Sequence, residues 1–305
     1  MNTISGGTFI RTKPKLEKVF EMETPVVLCN PRGDMEGGMY VCSHAGEILK
    51  FTDDGEVSTF MTIGGMPNNL AFINNDVYFA DISNGVIYEK KSTQNDISLL
   101  LKTYEGSPLK GPSSLVLNKT RHYLIISDSG YFGSTSMNEA KGSVYHYDLN
   151  TNIVYPLMLN CLAHPSDIVL DEHAGILYIA ETFKNRIIRV TQHPEGIFHS
   201  SVFYTFNGRI GPTALAIDEL GNIYVGRFEF QNKEKTNDGL ITILNKEGVE
   251  IGELLISGMS EINGMYIPNN KTKENVLYFT DKNFSGVMKI KLSQLSNENN
   301  DKNQI

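Results

Sequence analysis

The sequence predicts an all-β protein, a six-bladed β-propeller of four-stranded antiparallel blades whose N-terminal strand closes the last blade. Three observations carry this. One grammar recurs along the chain: a polar residue, a short apolar strand, a polar turn, a Leu/Ile/Val-Tyr-Ile/Val/Phe strand, a turn with Gly or Asn, and a third strand. The copies follow one another at nearly even intervals, and apolar patterning of helical period is almost absent. Strands this short, rich in Val, Ile and Tyr, cannot bury their faces alone but can when stacked radially as blades. A large β-sandwich, the other all-β solution at this size, gives no reason for a six-fold repeat.

The first copy, ETPVVLCNPRGDMEGGMYVCSHAGEILKF (23–51), is the weakest, although its three strands are recognisable. MPNNLAFINNDVYFADISNGVIYEK (66–90) follows, then GPSSLVLNKTRHYLIISDSG with GSVYHYD (111–148), then HPSDIVLDEHAGILYIAETFKNRIIRV (164–190). GPTALAIDELGNIYVGRFEF with GLITILN (211–245) and INGMYIPNNKTKENVLYFTDKNFSGVMKIKL (262–292) complete the set. The polar residues that open the copies are Glu23, Asn68, Ser113, Ser166, Thr213 and Asn263, spaced by 45, 45, 53, 47 and 50 residues. The longest spacing holds the loop YFGSTSMNEAK (131–141). Because the last copy has only three strands before the polar SNENNDKNQI, its fourth is expected from GTFIRT or KLEKVF, which would cover the edges of the terminal blades. The propeller is thus expected over 1–292 as one domain, with 293–305 a polar, disordered tail.

In a propeller the innermost strands line a central channel, so the six opening residues are expected to converge on one axis. There they would form a pocket for a small-molecule ligand, with Glu23 as acid or base. Local backbone capping by Ser, Thr and Asn is the structural alternative. A second register lies at the end of each second strand: Ser43, Asp81, Asp128, Glu181, Arg227 and Asp281. An Asp there is expected to cap a turn, while Arg227 interrupts the acidic series and could hold a ligand carboxylate or carbonyl.

Composition narrows the function classes. A net charge of −8 without a basic stripe argues against nucleic acid. The first twenty residues lack the apolar run of a signal peptide, and no segment is long and apolar enough for a membrane helix. A cytoplasmic protein is expected. Cys29, Cys42 and Cys161, without CxxC spacing, read as buried free thiols. The histidines form no HxxxH pair, and GxSxG and GxxxxGK motifs are missing, so zinc, serine-hydrolase and P-loop chemistry have no local support. His164, two residues before Ser166, could reach the pocket mouth as a proton donor, and FEFQNKEKTND (228–238) reads as a solvated loop or a lid.

The residues so laid out resemble the SMP-30/gluconolactonase/LRE-like group and the strictosidine-synthase-like proteins, over roughly residues 18 to 292. HPSDIVLDEHAGILYIAETFKNRIIRV looks like the pattern P-N-G followed by L-Y-(apolar)-A-E-T and N-R-I-x-R; METPVVL (22–28) looks like the E-G-P-V opening; GPTALAIDELGNIYVG looks like P-D-G with D-(x2)-G-N. The resemblance implies a six-bladed propeller and, for its lactonases, one divalent metal, usually calcium, held by a Glu, two Asn and an Asp. Carried across, the Glu falls on Glu23, the Asn pair on Ser113 and Ser166, and the Asp on Thr213. Three of the four ligands are replaced, and hydroxyls are poor calcium donors. Calcium or another divalent metal is therefore disfavoured, with Glu23 the one ligand left. Asp167 could compensate only if a local distortion turned it to the axis, since neighbours on a strand face opposite ways. Strictosidine synthase is similar in fold but uses a Glu in its last blade; here that place falls on Asn263, with Glu261 nearby. The expected function is small-molecule binding in the axial pocket by Glu23, Asn68, Ser113, Ser166, Thr213, Arg227 and Asn263, with lactonase- or esterase-like hydrolysis, or isomerisation, in a metal-poor site. The alternative is a non-catalytic propeller resembling NHL-repeat scaffolds that binds a protein partner.

Overall fold

The apolar strands assemble as the repeat requires. The computed structural model describes residues 9–130, 140–193, 197–207, 211–227, 238–268 and 275–296. Six antiparallel four-stranded sheets follow one another around an axis. Their innermost strands are Leu28–Gly33, Pro67–Ile73, Pro112–Asn118, Pro165–Asp171, Pro212–Ile217 and Ile262–Tyr266, each paired to the second strand of its blade. The loops at 131–139 and 228–237, the second of them the lid candidate, lie outside the described residues.

The N-terminal segment uses both of its candidate strands. Glu17–Glu21 pairs antiparallel with Phe284–Lys291 and closes blade six. Ile10–Thr12 then lies parallel along Glu250–Ile256 as a fifth strand on blade five. Gly252 permits that approach, since a Cβ there would stand 3.1 Å from the Ile10 carbonyl oxygen. At the other end, the short 3-10 turn Leu292–Ser296 carries Leu292 and Leu295 into the core beside blades five and six. The packed body thus passes the boundary expected at 292, because the two leucines spaced by three fall on one face of the turn; residues 297–305 lie outside the described set.

The core is divided. Six apolar clusters each fill the seam between two neighbouring blades, as facing sheets in a propeller demand. Tyrosines of the second strands, among them Tyr78, Tyr178 and Tyr224, are buried in these seams. Their hydroxyls explain why tyrosine serves: Tyr278 donates to Asp53 at 2.6 Å and Tyr40 to Asp34 at 3.0 Å, so ring and polar tip are both satisfied. Cys29 and Cys42 are buried free thiols, whereas Cys161 is exposed. Among the described residues no helix is long and apolar enough to cross a membrane.

Candidate functional site

Each inner strand from blade two to blade six has a register shift at its start, between Pro67 and Asn69, Pro112 and Ser114, Pro165 and Asp167, Pro212 and Ala214, and Ile262 and Gly264. Two residues there oppose one across the ladder, so the strand is re-aimed as at a β-bulge. The residue in the shift reaches sideways to the next blade. Asn68 Nδ2 donates to the Ser113 carbonyl at 2.6 Å, Ser113 Oγ to Pro165 at 3.1 Å, and Ser166 Oγ to Pro212 at 3.3 Å. Thr213 Oγ1 donates to Ile262 at 2.7 Å and Asn263 Nδ2 to Leu28 at 2.9 Å. Asn30 Nδ2, donating to the Asn68 carbonyl at 2.7 Å, completes a closed ring of side-chain to main-chain bonds.

Five of the sequence-predicted residues are therefore brought together, and Glu23 is not among them. Leu28 pairs with Ser43 as Pro67 pairs with Asp81, so blade one enters the ring with Asn30. Glu23 lies in an exposed bend before that strand, in a segment fixed over blade six by Met22 N–H to the Ser285 carbonyl and Val26 N–H to Ser285 Oγ. The E-T-P-V string resembles an opening, but the register is set by the pairing of Leu28 and Cys29 and by the shift that follows them.

One layer down, the same shifts turn Asp167 inward, supplying the distortion it needs. Asp167 is buried and accepts Ser114 Oγ at 2.7 Å, Leu215 N–H at 2.7 Å and Ile168 N–H at 2.9 Å. Asn69 Nδ2 in turn donates to Ser114 Oγ at 2.8 Å. From the opposite side of the channel Arg32 brings its guanidinium to 3.7 Å from Asp167 Oδ1 while donating to the Pro31 and Met265 carbonyls at 2.9 Å each. Burial raises the Asp167 pKa, and Arg32 opposes that rise.

The strand-end register is structural. Asp81 accepts Met66 N–H at 3.1 Å, Asp128 accepts Lys110 N–H at 2.9 Å and Gly111 N–H at 2.7 Å, Glu181 accepts Ala163 N–H at 2.8 Å, and Asp281 accepts Glu261 N–H at 2.7 Å. Each carboxylate ties down the segment arriving from the preceding blade. Arg227 does a related job with its guanidinium 4.4 Å from the ring of Phe206, which lies in that same segment of its blade. Glu181 pairs instead with Arg186 at 2.6 Å and Lys184 at 3.2 Å.

Above the ring stand residues that the sequence reading passed over. Ser129 Oγ donates to Ser113 Oγ at 2.6 Å and Thr182 Oγ1 to Ser166 Oγ at 2.8 Å. His44 Nε2 lies 3.1 Å from Asn68 Oδ1. All three follow the strand-end register by one position, which is the signal that could have found them. Since Asn68 Nδ2 is committed to Ser113, its oxygen faces His44, and an amide oxygen only accepts. Nε2 of His44 therefore carries the proton and Nδ1 the lone pair. Burial lowers the His44 pKa against the bond to Asn68, with the charge of Lys282 adding to the lowering, so the ring is neutral at neutral pH. His164 is also held neutral by burial, but is stacked on Phe183 with centroids 4.8 Å apart. Glu261 forms an ion pair with Lys282 at 3.6 Å.

The calcium that the sequence resemblance implies does not fit this donor set. The hydroxyls of Ser113, Ser166 and Thr213 spend their protons on main-chain carbonyls and supply no charge, and Asp167 is committed below the ring. Among the described residues no group of three or more His, Cys, Asp or Glu side chains is placed to hold a metal ion. The channel opens at its other end into a cavity of about 520 Å³, floored by Arg32, whose lining includes neither Glu23 nor Arg227.

No family model matches the chain. A stretch of 125 residues is 29% identical to lactonase drp35 of Staphylococcus haemolyticus, covering 40% of this chain and 36% of that protein, so the match spans little more than a third of the relative's length. A gluconolactonase from Xanthomonas campestris superposes with a TM-score of 0.73 over 91% of this chain and 89% of its own, at 13% identity. The calcium-binding protein regucalcin from Agrobacterium tumefaciens does so with a TM-score of 0.72 over 93% and 95%, at 15% identity. The structural neighbours are thus six-bladed propellers of the SMP-30/gluconolactonase/LRE-like kind, and the fold is the one they share.

Proposed function

We propose that the protein binds a small polar molecule at the ring mouth and hydrolyses it as a lactone or ester without a tightly held metal. The observation that carries this is His44, a neutral imidazole fixed by a ring residue with its lone pair on Nδ1. In that state it can take a proton from water as the water oxygen bonds to the acyl carbon, and return the proton to the departing alkoxide oxygen when the acyl C–O bond breaks. Asn68, Ser166, Thr213 and Asn263 are half-buried members of the same ring, with hydroxyl and amide groups to meet a polar substrate. The partial likeness to a lactonase supports the substrate class.

Turnover of a lactone and ester panel by EDTA-treated protein tests the reading. His44→Gln is expected to lower kcat by about a hundredfold or more while the melting midpoint holds. Glu23→Gln, exposed and outside the ring, is expected to leave kcat unchanged. Undiminished turnover in His44→Gln removes His44 from the chemistry. A protein-binding propeller is the second reading, favoured by Tyr155 and Phe198, both exposed on the outer strands of blades three and four and lining one groove. It takes over if no substrate of the panel is turned over or shifts the melting midpoint.

A further inference from the structure

We propose that the channel end facing away from the ring is a second binding site, for a small uncharged molecule with an apolar body and one carbonyl or hydroxyl oxygen. Side chains two apart on a strand share a face, so the residues following the ring layers point down the same channel. They are Ala71, Val116, Val169 and Ala216 on four successive blades, with Tyr266 and Arg32 completing the circle. The cavity they bound, about 520 Å³, has the size of a ligand pocket. Its wall is thus small and apolar over blades two to five and polar over blades six and one.

The two polar groups are donors. Tyr266 lines the cavity with its hydroxyl held against Gly33, where a Cβ would stand 2.7 Å from the hydroxyl oxygen, and that hydroxyl has a proton to give. Arg32 spends Nη1 on two carbonyls and turns Nη2 to Asp167, so further N–H groups are left to the cavity that it lines. Its charge is matched by Asp167, so the floor calls for an acceptor oxygen and not for an anion. The rim points the same way: Asp171, Glu172, Asp218 and Glu219 outnumber Lys119 there and repel anions. This site shares no side chain with the ring mouth, and binding at it is read separately from turnover.

Fluorescence titration of the full chain with prodan, an uncharged naphthyl ketone, tests the site. Saturable one-to-one binding with blue-shifted emission is expected. Ala71→Phe and Ala216→Phe, entering from facing walls, should each weaken it about tenfold or more by filling the cavity. Tyr266→Phe should weaken it by about tenfold through loss of one hydrogen bond, and Ser166→Ala at the ring should leave it unchanged. No saturable binding to the native chain, equal binding in both filled variants, or loss confined to Ser166→Ala would overturn the proposal. If the filled variants do not fold, Tyr266→Phe decides, and unaltered affinity there overturns it.

Discussion

Asp167 shows how much one side chain can hold at the centre of a propeller. Its carboxylate takes hydrogen bonds from blades three, four and five, and it is the partner of Arg32 from blade one. Removing it leaves Ser114, the Leu215 N–H and a nearly buried guanidinium without their acceptor. Asp167→Ala is therefore expected to cost about 3–5 kcal/mol in urea unfolding, the range for a broken buried ion pair. A loss below about 1 kcal/mol would mean that Arg32 and water rearrange freely in the channel. The sequence made Asp167 conditional on a local distortion, and the bulge that meets the condition arises from pairing between strands, which one strand's residues do not specify. Glu23 failed for the same kind of reason: a string resembling an opening was offset from the pairing that decides the register.

The ring closes through two elements of different weight. Glu17–Glu21 buries Val19 and Phe20 against blades six and one, so it is part of a core seam. Ile10–Thr12 adds a buried Ile10 and an exposed ion pair from Arg11 to Glu253 at 3.4 Å, a contact of little worth on its own. Deleting residues 1–12 should lower the melting midpoint by only a few degrees, with a single cooperative transition preserved. Deleting 1–21 should abolish that transition, because blade six loses its outer strand and the seam to blade one is opened. Equal effects of the two deletions in calorimetry would show that closure does not depend on Glu17–Glu21. The choice between GTFIRT and KLEKVF was open in the sequence because both alternate like strands; Gly252 and the apolar pair Val19 and Phe20 assign them to different blades.

Across the whole molecule, three histidines, His44, His146 and His164, have pKa values lowered from 6.5, with burial the largest cause for each. The unfolded chain then binds more protons than the folded one below about pH 6.5, so stability is full above that pH and falls as the pH drops. The melting midpoint is expected to decrease between about pH 7.5 and pH 5.5, and a flat profile would mean that these rings stay wet in solution. At this scale the sequence by itself determined the six-fold repeat, the all-β class and the neutral, hydroxyl-rich and amide-rich composition of five ring positions. Those follow from periodicity and residue type, which are local. Only the tertiary structure decided that Asn30 supplies the sixth ring group, that His44 leans over Asn68, that Asp167 meets Arg32 across the channel, and that the cavity lies below the ring. Each depends on strand register or on residues of non-adjacent blades meeting at the axis, and no single strand encodes the distance across it.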